Sequence, residues 1–419
     1  MILCDKDTCT MCGACVDSCS QNAITMERLK TGFSVPRIDE DLCIECGKCR
    51  KSCPVINDLS PSPYIPEAYL AFSNNERILK ESASGGVFRE LAEYIISQNG
   101  IVIGAAWDDM QNVNLCIADT LEEISKFSGS KYVQSNSNHI YSKIHKYLKE
   151  GIPVFICALP CQIAALKTYL KKDYKNLYTA DIVCHGCASD ELFKKYIEYF
   201  ERKNNLKIRS INHTDKVNGW TRLIQRTICF KTDSNKRIYK DSHEDPYLEG
   251  FLSNLYFKEA CYTCRFNQMP RCGDITLGDY FGIGVLKRAK KLNKRGVSQI
   301  IVNSEKGKKL LSACKNNMYM EKRSIQECMY FNHNLWRASR PHSRHSEFMR
   351  DYEHLTYDEL ADKYFYQDEK GNLKRKIRKI VKKMLGERAV CLLMLFVYKI
   401  NGTIDQVDAI CKKLYDCKQ

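Results

Sequence analysis

The sequence predicts an α/β protein, or α+β when a small cysteine-rich N-terminal module is counted with the rest, and three observations predict it. The first 53 residues hold nine cysteines in a duplicated pattern, which is typical of a small module held together by bound metal. From residue 67, helical and strand patterns alternate, which favours a largely parallel sheet covered by helices. The basic C-terminal region alternates charged and apolar residues and predicts a helical extension.

These patterns predict five segments. They are a cysteine module over 1–58, a Pro/Ser-rich linker over 59–66, the two parts of one α/β domain over 67–150 and 151–315, and the helical extension over 316–419.

Composition favours a cytoplasmic redox or metal protein. Of the 419 residues, 44% are hydrophobic and 27% charged, as in soluble globular proteins. The first residues lack the pattern of a signal peptide, and the longest apolar run, Ala389 to Val397, is too short to span a bilayer. Because disulfides do not persist in a reducing cytoplasm, 23 cysteines indicate metal or redox chemistry.

The net charge of +15 does not predict nucleic-acid binding, because the excess lies largely in the tail. Residues 371–419 hold 12 Lys/Arg against 4 Asp/Glu, whereas residues 1–60 hold 7 against 9. A solvated helical cap is the favoured interpretation of the tail. The alternatives are a docking arm for an acidic partner and a basic amphipathic helix over 373–384 that contacts an anionic membrane.

The N-terminal module contains two four-cysteine runs with the spacing C-x2-C-x2-C-x3-C, 34 residues apart. Three closely spaced thiolates can wrap one face of a four-iron cubane, and a glycine after the second cysteine (Gly13, Gly47) relieves crowding there. The module resembles the bacterial two-cluster ferredoxin family over about residues 3–58, in which the fourth cysteine binds the opposite cluster. We therefore expect two [4Fe-4S] clusters, one held by Cys9, Cys12, Cys15 and Cys53, the other by Cys43, Cys46, Cys49 and Cys19.

Two details depart from this pattern. Ser20 stands where the ferredoxin family usually has proline, and Cys4 lies outside both runs, where we interpret it as a spare thiol. A zinc site is the alternative, and two complete four-cysteine runs make it improbable.

Beyond the linker, the predicted elements are a helix over Phe88–Ile96 that stops at Gly100, strands over 101–107, 154–157 and 180–184, and helices over 162–170 and 190–200. Ser84-Gly85-Gly86 precedes the first helix. Ser84 can cap that helix, and the glycines would let a flavin or nucleotide phosphate approach its N-terminus. An ordinary helix cap is the equally weighted alternative.

A second group of cysteines follows two of the predicted strands. Cys161 comes directly after one strand and Cys184 ends the next, so both would lie at the carboxyl edge of a parallel sheet. Cys261 and Cys264 add a C-x2-C pair. Together they offer four ligands for a third cluster, with buried structural thiols as the alternative. Further candidate ligands are Cys157 and Cys272; Cys187 and the other cysteines of the chain are interpreted as free thiols.

Several short motifs resemble the β-subunit family of coenzyme F420 (deazaflavin) hydrogenases and dehydrogenases, over about residues 65–315. They are Ser84-Gly-Gly-Val-Phe88, Gly129-Ser-Lys-Tyr-Val133, Leu159-Pro-Cys-Gln-Ile163, Cys184-His-Gly186, Cys261-Tyr-Thr-Cys264, Asp274-Ile-Thr-Leu-Gly-Asp-Tyr-Phe-Gly282 and Gly296-Val-Ser298. The chain departs from the family at Cys187-Ala188 and at Tyr280-Phe281.

The resemblance implies an FAD-binding α/β domain with a [4Fe-4S] cluster close to the flavin. By this resemblance, the ligands of that cluster would be Cys161, Cys184, Cys261 and Cys264. The residues that contact the flavin would be Ser84, Gly85, Gly86, Lys131 and Ser298. We further expect Lys131 to stabilise reduced flavin and Asp279 to orient the ring or substrate. His185 is a candidate proton carrier, with a structural role favoured.

The resulting hypothesis is an iron–sulfur flavoprotein oxidoreductase. Reduced ferredoxin or a partner subunit would supply single electrons to three [4Fe-4S] clusters, which pass them to FAD and on to a small organic acceptor, deazaflavin-like or other. The alternatives are a non-catalytic electron-relay subunit and, less favoured, a redox sensor. The sequence does not identify the acceptor, the direction of electron flow or the oligomeric state.

Overall fold

The computed structural model describes residues 3–59, 63–108, 112–220, 226–282, 284–365, 389 and 391–416. The predicted amphipathic segment 373–384 lies outside these residues, as do residues 60–62 of the predicted linker. Among the described residues, no helix combines the length and apolar character needed to cross a bilayer.

The N-terminal module is a hairpin and two short helices. Strands β1 (Ile24–Arg28) and β2 (Ser34–Ile38) pair antiparallel. Helices α1 (Ala14–Ser18) and α2 (Lys48–Ser52) each begin after a glycine in the left-handed conformation, with φ of 77° at Gly13 and 69° at Gly47. An L side chain is strained at that φ, which explains the glycine in both repeats.

The predicted α/β class is confirmed by an eight-stranded mixed sheet in which five strands run the same way. Four adjacent strands are parallel at its centre, and the other strands pair antiparallel on both sides. The sheet order is β13 (Met318–Arg323), β3 (Glu67–Ser73), β12 (Ser298–Val302), β11 (Ile275–Asp279), β7 (Leu177–Ile182), β6 (Val154–Ala158), β4 (Ile101–Asp108) and β5 (Asn112–Ala118).

A second, antiparallel sheet and the helices cover the large sheet. The second sheet has the order β10 (Arg237–Asp241), β9 (Thr227–Thr232), β8 (Ile208–Asp215). The helices are α3 (Glu76–Glu81), α4 (Val87–Ser97), α5 (Ile140–Lys149), α6 (Pro160–Leu170), α7 (Asp190–Asn204), α8 (Pro246–Leu252), α9 (Glu259–Tyr262), α10 (Glu305–Ala313), α11 (Ile325–Phe331), α12 (His345–Tyr352), α13 (Tyr357–Tyr364), α14 (391–400) and α15 (Thr403–Asp416).

The predicted elements of the α/β region are present, with two differences. Strand β7 ends at Ile182 rather than at Cys184, so Cys184 lies in the loop beyond the sheet edge. The predicted start of the extension at residue 316 falls within the sheet region, because β13 pairs with β3 along 318–323. The hydrophobic side chains of α11 pack in the same core cluster as those of β3.

The module is docked on the α/β body through hydrogen bonds that involve its cluster-binding loops. Gln134 Nε2 donates to the Thr10 carbonyl (2.7 Å), and the Tyr141 hydroxyl donates to the Cys12 carbonyl (2.6 Å). The Asp17 carboxylate accepts from the Tyr141 backbone N–H at 2.9 Å, at the start of α5. These contacts fix the first cysteine loop against the body.

Candidate functional site

Three groups of cysteines each surround a cavity, and the first cavity lies within the module. Its wall contains the four cysteines predicted to bind the first cluster, together with Cys4. The Cys4 thiol hydrogen-bonds two of them, which lowers the pKa of Cys9 to about 7 and that of Cys53 to about 6. Both side chains are thereby biased toward the thiolate, the form that binds metal.

The second cavity lies at the outer end of the module. Its wall contains the four cysteines predicted for the second cluster: Cys19, Cys43, Cys46 and Cys49. Cys46 is exposed, and the neighbouring Ile44 side chain is 62% exposed, so this cavity lies close to solvent.

Both helices of the module span the two cavities. Helix α1 follows Gly13 and has Cys15 on the first cavity, while Cys19, just after its end, is on the second. Helix α2 repeats this in reverse, with Cys49 on the second and Cys53 on the first. The structure thus brings together the crossed ligand sets expected from the sequence, in which each run supplies its fourth cysteine to the other site.

The third cavity gathers cysteines that are far apart in sequence. Cys161 lies in the first turn of α6, Cys184 in the loop after β7, and Cys261 and Cys264 in and after α9. A fifth cysteine, Cys187, joins them in the cavity wall. The other candidates, Cys157 and Cys272, are absent from that wall; the Cys272 thiol instead donates to the Pro160 carbonyl (3.2 Å).

A buried ion pair holds the strands of this site together. The Arg271 guanidinium donates to Asp181 Oδ1 (2.8 Å), and neither side chain is exposed. The same guanidinium donates to the carbonyls of Phe266 and Ile182, at 3.0 Å each. Because Asp181 is on β7 and Phe266 follows Cys264 by two residues, the pair anchors the C-x2-C loop to the strand that leads to Cys184.

The sites share walls. Thr10 lines both the first and the third cavity. Cys184, Gly186 and Cys187 line both the third cavity and a much larger one, of about 350 Å³, at the carboxyl edge of the parallel strands. Each site therefore adjoins the next in the order second site, first site, third site and large cavity.

The large cavity contains most of the residues predicted to contact a flavin. Ser84, Gly86, Lys131 and Ser298 line it, but Gly85 does not. The Gly85 N–H donates to Ser298 Oγ (2.9 Å), so this donor is already used by a protein side chain. A Cβ on Gly85 would lie 2.5 Å from the Ala71 carbonyl oxygen, which explains the glycine by close packing.

The prediction that the Ser84 side chain caps α4 is wrong. Gly86, with φ of 83°, occupies the N-cap of α4, and the cap makes no side-chain hydrogen bond. The Ser84 hydroxyl instead donates to the Val297 carbonyl at 3.0 Å. The serine thus ties the loop before α4 to the residue that precedes β12.

Lys131 lies at the cavity wall with its ammonium directed at the backbone. Its Nζ donates to the carbonyls of Lys126 (3.1 Å), Ser128 (3.0 Å) and Gly129 (3.3 Å). These three bonds use all the donors of a lysine ammonium. Burial lowers the pKa of Lys131 to about 7. Lys131 is therefore placed to act through its charge and by shaping the 126–131 loop.

The two other weak catalytic candidates, His185 and Asp279, also line the large cavity. Burial lowers the pKa of His185 to about 4, so its ring is neutral near pH 7. Its Nδ1 contacts Asn334 Oδ1 (3.3 Å), and its buried Nε2 has no hydrogen-bond partner. The Asp279 carbonyl accepts from Asn332 Nδ2 at 3.0 Å.

The structure also adds residues that the sequence did not indicate. Asn332 and Asn334 line the large cavity, although both follow the predicted end of the domain at 315. Tyr132 and Phe251 stack at 4.3 Å between ring centres in its wall. Of these residues, Tyr132 could have been found from the sequence, because it lies in the Gly129–Val133 motif. The two asparagines lie outside every motif.

Among the described residues, no three His, Cys, Asp or Glu side chains are arranged to hold a single metal ion. Thiolates of a four-iron cubane bind four different irons and are spread more widely than the ligands of one ion. The all-thiolate donor sets have the chemistry that iron–sulfur clusters require.

Comparison with known proteins gives two family matches. Residues 8–57 match the 4Fe-4S dicluster domain, and residues 153–327 match the family described as the C terminus of the coenzyme F420 hydrogenase/dehydrogenase beta subunit. Among proteins of curated function, none is significantly similar to the chain. A chain of the F420-reducing [NiFe] hydrogenase complex from Methanosarcina barkeri, solved with xenon derivatization, is 18% identical. That match covers 73% of this chain and 95% of the other, with a TM-score of 0.44.

Proposed function

The chain is an iron–sulfur redox protein that joins a 4Fe-4S dicluster domain to the C-terminal domain of coenzyme F420 hydrogenase/dehydrogenase beta subunits, and from this premise we propose that it is a flavin-dependent oxidoreductase. The three cysteine sites would hold [4Fe-4S] clusters and the large cavity would hold FAD. These groups would supply one-electron transfer from reduced ferredoxin or a partner subunit toward a small organic acceptor. The observation that carries the proposal is the row of three cysteine sites that ends at the large cavity.

The arrangement of walls supports this order of transfer. The second site is near solvent, where a donor can approach Cys46. Thr10 separates the first site from the third, and the loop 184–187 separates the third from the large cavity. Since short through-protein separations favour electron transfer, this loop is where the cluster and the flavin would meet.

The large cavity fits a flavin in size and in chemistry. Its volume of about 350 Å³ lies within the range of roughly 300–1,000 Å³ usual for cofactor pockets. His185 and Asn334, in contact at 3.3 Å between Nδ1 and Oδ1, supply hydrogen-bonding side chains in its wall. FAD, when bound, exchanges electrons singly and passes them on as a pair or as a hydride.

The protein's own residues would bind and orient this cofactor. Lys131, whose pKa burial lowers to about 7, is partly protonated near pH 7, and an anion bound beside it favours its charged form. Ser84 and Ser298 fix the loop before α4, and the stacked pair Tyr132 and Phe251 gives an apolar wall that excludes water. Neutral His185 can accept or donate one hydrogen bond at Nε2, according to its tautomer.

The test is the iron, acid-labile sulfide and FAD content of anaerobically purified protein, with visible spectra before and after dithionite. We expect about 12 iron atoms and one FAD per chain. About 8 iron atoms and no flavin, even after reconstitution, would contradict the proposal and leave the electron-relay subunit as the better interpretation.

A further inference from the structure

Two of the three cysteine sites contain a fifth thiol that belongs to no motif. Cys4 lies in the wall of the first cavity and Cys187 in that of the third. Among the described residues, the wall of the second cavity contains no cysteine other than its four predicted ligands. A four-iron cubane needs one thiolate for each iron, so the fifth thiol at each site exceeds the number that the cluster binds.

The two extra thiols occupy equivalent positions. Cys4 shares the wall of the first cavity with Cys9 and Cys53, and Cys187 shares the wall of the third with Cys184 and Cys261. Each therefore lies beside predicted ligands of one cluster. Cys187 is 6% exposed, and its carbonyl accepts from the Lys258 N–H at 3.2 Å, so its backbone is fixed against the C-x2-C segment.

We propose that Cys4 and Cys187 stay unligated and donate S–H hydrogen bonds to the ligand sulfurs of the first and third clusters, which raises the reduction potentials of these two clusters. The physical basis is that a donor near a ligand sulfur stabilises the extra negative charge of the reduced cluster. The inference rests on the proposed function, since it requires that the clusters be bound.

The consequence is a bias in the direction of electron flow. Among the described residues the wall of the second cavity has no fifth thiol, and the donor to a ligand sulfur there is the Ala23 N–H, 3.3 Å from Cys19 Sγ. The added S–H donor at the first site therefore favours transfer from the second site to the first. Cys4 and Cys187 are thus positioning residues that act through the clusters and do not touch a substrate.

The test compares Cys187→Ala with Cys187→Ser in the full-length, anaerobically reconstituted protein. Redox titration followed by electron paramagnetic resonance measures the midpoint potential of each cluster. We expect Cys187→Ala to shift one cluster to a more negative potential, and Cys187→Ser, which keeps an O–H donor, to shift it less. Cys4→Ala should shift a different cluster. Cys314→Ala, a buried thiol that instead contacts the Glu90 carbonyl, is the control and should shift none.

Two outcomes would overturn the inference and are distinct from failure of the proposed function. Loss of about four iron atoms in Cys187→Ala would make Cys187 a ligand. Unchanged potentials in both alanine variants, with full iron and FAD, would show that the thiols do not tune the clusters. Failure of the proposed function would appear instead as low iron or absent FAD in the wild-type protein.

Discussion

The N-terminal module and the third cysteine site hold the same kind of donor set, but the chain builds them in opposite ways. In the module, two short runs 34 residues apart supply all eight predicted ligands, and one glycine and one short helix shape each half. At the third site, four ligands come from three separate segments between residues 161 and 264. No local turn aligns them.

The difference lies in where the stabilising interactions are. The module's loops are shaped by residues within the loops themselves. The third site depends on β6 and β7 being adjacent and on the buried Arg271–Asp181 pair, which connects the C-x2-C loop to the sheet. A site of the second kind should be lost when a single distant anchor is removed. Three sets of variants examine the contrast between the two regions.

The largest effect is expected from Arg271→Met. The substitution leaves the Asp181 carboxylate buried without its partner, which costs about 3–5 kcal/mol of unfolding free energy. Iron content should fall from about 12 to about 8 atoms per chain, because the third site loses its anchor while the module keeps its clusters. Iron analysis and denaturant unfolding measure both effects.

The matched control is Arg77→Met, which removes an exposed ion pair to Glu81 (2.9 Å). Exposed pairs of this kind contribute little to stability, so iron content and the free energy of unfolding should hardly change. Equal iron loss in the two variants, or retention of 12 iron atoms in Arg271→Met, would contradict the anchoring role.

A smaller effect concerns acid stability, which should also distinguish the two regions. Residues 1–58 contain no histidine. In the body, burial lowers the pKa of His213 to about 3 as it packs between Trp107 and Tyr132. An unfolded histidine protonates near about pH 6.5, so between these values the unfolded chain binds more protons, and stability falls as the pH drops from about 6.5.

Substitution of His213 by Phe should remove this contribution. At pH 5 the wild-type protein is expected to lose about 2 kcal/mol through His213 relative to pH 7.5, and His213→Phe should lose correspondingly less. Unfolding free energies of both proteins at the two pH values give the difference, in which other titrating groups cancel. His354→Phe, at an exposed position, serves as control and should keep the wild-type dependence.

The smallest effect separates the two halves of the module. Gly47→Ala places a side chain at a φ of 69° with no neighbour within 4 Å, so it should cost about 1 kcal/mol of backbone strain. Gly13→Ala has the same strain, and its Cβ would lie 2.0 Å from Ser137 Oγ on the body. It should therefore cost more in thermal unfolding.

The double variant Gly13→Ala, Ser137→Ala tests the cause of that excess. Removal of the Ser137 hydroxyl should return the cost toward that of Gly47→Ala, since the two changes share one contact. Equal costs for the two single glycine variants would mean that the first cysteine loop is not packed tightly on the body.

The sequence by itself determined the α/β class, the helices and strands around residues 88–107 and 154–200, and the grouping of the module's cysteines. These features follow from interactions between residues that are close in the chain. Hydrophobic periodicity defines each helix or strand, and the C-x2-C-x2-C-x3-C spacing defines each loop. Gly13 and Gly47 were expected to relieve crowding after the second cysteine of each run; their left-handed φ comes from the structure.

Only the tertiary structure decided which other residues join them. Cys4 and Cys187 stand outside every motif, yet each shares a cavity wall with four predicted ligands. Ser84 bonds the Val297 carbonyl rather than capping α4, and Asn334 reaches the large cavity from beyond the expected domain end. Such contacts depend on which loops meet at the carboxyl edge of the sheet. That is set by the packing of the whole core, whose contacts join residues too far apart in the chain for any local pattern to record.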